Sequence, residues 1–106
     1  MLNAIEITAA NTWTEVYVVP ASRRSSVTLS LCNHTIATDL LVSVAIGPAT
    51  SGAITDAHYL EYLIPIAASG VYERTGIVLN ATQKLWVRVT NATSLNAVVY
   101  GFEEVV

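Results

Sequence analysis

The hydrophobic pattern has a period of two along much of the chain. Val27, Leu29 and Leu31 alternate with Thr28, Ser30 and Cys32, and Leu85, Val87 and Val89 alternate with Lys84, Trp86, Arg88 and Thr90. Side chains of a strand point alternately to its two faces, so each run reads as a strand with one apolar face. Residues 4–9, 13–19, 58–64, 71–79 and 97–105 have similar β-rich compositions, and residues 40–46 are apolar at nearly every position. The last pattern suits a central strand, or one covered by a neighbouring subunit. Pro20, the 47–56 loop, Pro65, Ser69-Gly70 and Asn80 to Gln83 separate these runs, because Gly, Pro, Asn and Ser favour turns over ladders. Gly76 interrupts its run and marks a bulge. Apolar residues never recur at helical spacing over the roughly 10 to 12 residues a helix needs. Strands at this spacing predict an all-β fold, a single-domain antiparallel β-sandwich over residues 1–106, jelly-roll-like, with about eight strands.

Composition adds a constraint on assembly. Hydrophobic residues make up 53% of the 106 residues and charged residues only 12%, half the usual share of about 25%. A domain this small has too much surface to hide all that apolar matter in one core. The pattern therefore predicts exposed apolar surface and self-association into a homo-oligomer. The net charge of −3 argues against nucleic acid and anionic membranes, both of which select basic patches. No apolar run reaches membrane-spanning length, and the first residues lack the basic start and apolar stretch of a signal peptide.

Candidate chemistry is sparse. Cys32 is the sole cysteine, so no intrachain disulfide can form, and its apolar run reads as buried. His34 and His58 belong to no metal-ligand spacing. Asp56, Glu61 and Glu73 sit in separate segments, where salt bridges to Arg74 and Arg88 are the expected role. Asn33, Asn80 and Asn91 each begin an Asn-X-Thr sequon, read here as turn chemistry. No catalytic residue, cofactor or metal site is expected. The remaining candidates are contact residues: the two-sided apolar set Leu40, Val42, Val44 and Ile46, the last strand's Val98, Tyr100 and Phe102, and the aromatics Tyr59, Tyr62 and Trp86. Trp86 shares a face with Lys84 and Arg88 and is expected to be partly exposed. Tyr59 and Tyr62, three apart, are expected on opposite faces.

Several segments carry a resemblance. Tyr59-Leu60-Glu61-Tyr62 through Pro65, the run from Gly70 to Leu79, the ending from Val99 to Glu104, and the opening from Val18 to Asn33 together resemble small tailed-bacteriophage virion structural proteins. The resemblance covers most of the chain and brings no catalytic residue. It implies a non-enzymatic capsid decoration (cement) protein, assembled in the host cytoplasm into the virion as a trimer or other homo-oligomer on the major capsid protein. A neck, tail or baseplate accessory of the same fold is the alternative. A different class, a carbohydrate-binding module, would use Trp86 and the exposed tyrosines as a stacking platform.

Overall fold

The computed structural model describes residues 1–91 and 94–106. The chain forms β1 (Leu2–Ile7), β2 (Thr14–Val18), β3 (Arg23–Asn33), β4 (Leu40–Gly47), β5 (Tyr59–Ile66), β6 (Val71–Leu79), β7 (Lys84–Val89) and β8 (Leu95–Val105). Single turns of 3-10 helix at Ser51–Ala53 and Asp56–His58 lie in the β4–β5 connection. That connection is the centre of the topology. β4 pairs with β5, β3 with β6, β2 with β7 and β1 with β8, all antiparallel, so the two halves of the chain pair as one long ribbon. Rolling the ribbon adds β3–β8 and β4–β7 pairings. The result is two four-stranded sheets, β1-β8-β3-β6 and β2-β7-β4-β5, the strand order of a jelly roll.

The inner faces are those the alternation marks. Val27, Leu29 and Leu31 meet Leu85, Val87 and Val89 across the core, all at most 2% exposed. Ile7, Val16, Leu79, Leu95 and Val99 belong to the same cluster. Tyrosine–carboxylate contacts tie the sheets together at both sides. Tyr17 of β2 reaches Ser25 at 2.6 Å and Glu103 at 2.5 Å in the other sheet. Tyr72 of β6 donates to Glu61 of β5 at 2.7 Å, and Arg74 adds an ion pair to the same carboxylate. Burial first, and then the Glu103 hydrogen bond, push the Tyr17 phenol up to about 12, because both disfavour the phenolate.

One end of the sandwich is organised by Asn33. Its side chain is fully buried and its amide faces the carbonyls of Thr38, Ile66 and Ala67, while its Oδ1 accepts from the Thr35 backbone and hydroxyl. Asn91 works similarly at the surface, holding Leu41 and Asp39. Both asparagines are committed to turn chemistry. Of the third sequon's other positions, Ala92 and Thr93 lie outside the described residues.

The structure departs from the sequence pattern in several places. β3 starts at Arg23 rather than near residue 26, and β8 starts at Leu95, because each supplies the other with a complete ladder from Arg23–Val105 to Asn33–Leu95. Pairing carries polar residues into a strand that composition alone ends early. β1 begins at Leu2, in register with Tyr100. Pro65 lies within β5 instead of ending it; β5 is an edge strand, where a missing N–H is tolerated. The Gly76 bulge is present, with φ of 70° and a register shift opposite Val27 to Leu29.

Leu40, Val42 and Val44 are fully buried between the sheets and Ile46 is half-buried against the core. They are interior residues, not a contact surface. The opposite side of β4 is covered within the chain: Ser43 and Ala45, both 0% exposed, lie beside Arg88 and Trp86 of β7. Large neighbours close over small residues, so this two-sided burial does not require a neighbouring subunit.

Candidate functional site

The two outer faces of the sandwich differ in chemistry. Residues paired directly across strands share a face, so the register reads off the outer face of the β1-β8-β3-β6 sheet. One row is Leu2, Tyr100 and Thr28, and a second is Phe102, Ser26 and Val78. Two more are Ala4, Val98, Ser30 and Glu73, and Glu6, Asn96, Cys32 and Val71. The central strand β3 thus contributes small side chains, and its neighbours rise above it. Phe102 is 83% exposed, Leu2 72%, Val71 64% and Val78 59%. A trough of about 350 Å³ runs between Val78 and Phe102, with Arg24 and Glu104 at its end. Arg24 and Glu104 pair with each other, the guanidinium Nε donating at 2.9 Å.

Of the expected contact residues, Val98, Tyr100 and Phe102 lie on this face, with Val98 half-buried. Leu2, Val71 and Val78 join them and were not singled out in the sequence. Their signal was available only as the outward phase of each strand, and Gly76 shifts that phase within β6. Cys32 is also here, half-buried on the outer side rather than in the core, because it takes the Thr28 and Ser30 phase of β3.

The outer face of the β2-β7-β4-β5 sheet is aromatic and cationic. Trp13, in the segment leading into β2, lies over Arg88 of β7, with the guanidinium 4.7 Å from the ring centroid. Trp13 and Tyr59 rings are 5.9 Å apart, and Tyr59 and Tyr62 rings 5.0 Å apart. These separations fall in the range of favourable aromatic pairs. Tyr59 and Tyr62 therefore share a side, contrary to a regular alternation. Register shifts between Val42 and Val44 and between Val44 and Ala45, together with a left-handed Leu63 (φ 49°), bring them together. Trp86 is only 7% exposed, and its indole N–H donates to the Pro48 carbonyl at 2.9 Å. It anchors the β4–β5 connection and is not a platform residue. Lys84, on the same face, pairs with Glu15 at 2.7 Å.

The acidic candidates do not converge. Glu61 is engaged with Tyr72 and Arg74, and Glu73 accepts from Tyr100 on the opposite outer face. Asp56 lies in the second 3-10 turn, beside Tyr59 and Tyr62. His58 uses Nδ1 to accept from the Thr55 backbone at 2.9 Å, a local cap, and His34 approaches Glu6 at 3.6 Å. Among the described residues no three His, Cys, Asp or Glu side chains gather as a metal-binding group. In comparisons with known proteins, no family model matches this chain, and no curated protein and no solved structure matches it.

Proposed function

We propose that this protein is a non-enzymatic structural component of a tailed-bacteriophage virion, a capsid decoration protein that docks through the outer face of its β1-β8-β3-β6 sheet. The virion assignment rests on the sequence resemblance. The observation that carries the docking role is the set of exposed apolar side chains Leu2, Val78 and Phe102, in neighbouring rows around the small residues Thr28 and Ser26. Isolated exposed apolar residues are ordinary, but adjacent rows of them mark contact surfaces. Four strands about 4.8 Å apart, 6, 11, 11 and 9 residues long at about 3.4 Å per residue, give a footprint of roughly 600 Å². A standard interface buries about 800 Å² per partner. Repeated copies, as a trimer or other homo-oligomer, would add such contacts by multivalency over a shell.

The test is co-sedimentation of the purified protein with phage heads. Phe102→Asp and Val78→Asp place a charge in the trough at exposed positions, so the fold should persist while head binding is lost. Wild-type protein that ignores heads, together with virions lacking it that resist heat equally well, would overturn the proposal. Binding confined to necks or tails would assign the same face to an accessory of those structures.

A further inference from the structure

We infer that the Trp13–Tyr59–Tyr62 cluster on the opposite face is a saccharide-binding site that takes a hexopyranose unit of a glycan. The argument begins with hydrogen-bond partners. Tyr17, Tyr72 and Tyr100 each donate the phenol to a glutamate: Glu103, Glu61 and Glu73. Trp86 donates its indole N–H to Pro48. Among the described residues, Tyr59, Tyr62 and Trp13 make no side-chain hydrogen bond, and neither does the Asp56 carboxylate. The aromatic polar groups without a protein partner are thus the ones gathered at one place.

That place is concave. Asp56, Tyr59 and Tyr62 line an open hollow of about 250 Å³, just below the roughly 300–1,000 Å³ of sites for drug-sized ligands. The size suits a sugar ring or two. Aromatic faces receive the apolar C–H face of a pyranose, while phenols and a carboxylate exchange hydrogen bonds with its hydroxyls. The hollow's lining is mixed polar and apolar, so its polar groups can fix a ligand's orientation while the rings supply contact area, the usual division of labour in small-ligand sites.

The platform is also held in place before any ligand arrives. Arg88 stacks under Trp13 and makes no ion pair among the described residues. Its Nε is buried without a hydrogen-bond partner, so the cation's attraction to the ring is the interaction that remains. Tyr59 packs between Trp13 and Tyr62. Ordering these rings in advance lowers the entropy cost of binding. The docking face differs, with separate exposed Leu, Val and Phe side chains and its glutamates engaged by Tyr100, Arg24 and His34, so the two faces are suited to different partners.

The test is a titration of isotope-labelled protein with methyl glycosides of glucose, galactose, mannose and N-acetylglucosamine, and with their oligosaccharides, followed by amide and indole NMR shifts. At least one probe should bind with a dissociation constant on the order of 1 mM or tighter, shifting the Trp13 indole and Tyr59–Tyr62 amide signals. Tyr62→Ala removes a 58% exposed ring and should weaken binding about tenfold with the fold intact. Asp56→Ala should do the same through lost hydrogen bonds. Phe102→Asp should leave saccharide binding unchanged, which separates this site from head docking. The inference is overturned if no probe binds, if binding survives both substitutions, or if Tyr62→Ala abolishes head binding and leaves no saccharide effect. The last result would make the cluster a protein-contact site.

Discussion

Asn33 and Asn80 look equivalent in sequence, each opening an Asn-X-Thr triplet between strands, yet they should differ widely in energetic weight. The Asn33 amide supplies two N–H donors to carbonyls of Thr38, Ile66 and Ala67, and its Oδ1 accepts two bonds from Thr35. Asn33→Ala removes about four hydrogen bonds at a net 0.5–1.5 kcal/mol each and leaves buried carbonyls short of a partner, for a loss of about 2–6 kcal/mol. A domain of this size has a total stability of about 5–15 kcal/mol. Urea unfolding followed by tryptophan fluorescence should therefore show the midpoint falling by roughly 1–3 M, taking a slope of about 2 kcal/mol per molar. Asn80 is exposed, and Asn80→Ala should stay within about 0.5 kcal/mol of the parent. Asn33→Asp keeps the shape but turns an ionised carboxylate toward carbonyl oxygens. Its neutral form is favoured in the fold, so its folded pKa lies above the unfolded value. The penalty should be full above that raised folded pKa and be recovered as the pH falls through it, completely so once the pH reaches the unfolded value of about 4. An Asn33→Ala loss below about 1 kcal/mol, or an Asp variant indifferent to pH, would refute this account of Asn33.

Three further outcomes are expected. Gly101 has φ of 153°, and a Cβ there would meet the Ser26 carbonyl and lie 2.8 Å from the Val27 Cα; Gly101→Ala should cost about 2 kcal/mol or more in chemical denaturation, and a neutral effect would mean β3 and β8 are not so closely packed. The folded-state pKa of Tyr17, about 12 against an ordinary 10.0, means its contribution is intact below pH 10 and lost as the pH rises toward 12. Tyr17→Phe should accordingly flatten that part of the alkaline stability profile, and an unchanged slope would contradict the assigned environment. Val44→Asp puts a charge at a position with 0% exposure and should unfold the single chain, visible as lost β-signal in circular dichroism; a folded variant of altered mass would instead return Val44 to a subunit interface.

The period-two runs alone determined the class of fold, because a strand with one buried face must alternate. They marked Val27, Leu29, Leu31, Leu85, Val87 and Val89 as core, and the Gly76 bulge followed from one residue type. What they could not determine was which partner covers a residue facing the other way. The two-sided apolar pattern of β4 put Leu40, Val42, Val44 and Ile46 among the contact candidates, because the sequence does not show that they face the core or that the cover of the other side, Trp86 and Arg88, arrives from a strand about 40 residues later. Tyr59 and Tyr62 were placed on opposite faces because alternation assumes an unbroken ladder, and the β4–β5 register breaks twice there. The exposed apolar outer face needed the β1–β8, β3–β6 and β3–β8 registers together, since its residues come from four separate strands. Local sequence fixes the phase of a strand; only long-range pairing decides what lies beside it, and hence whether an outward side chain meets a neighbour or solvent.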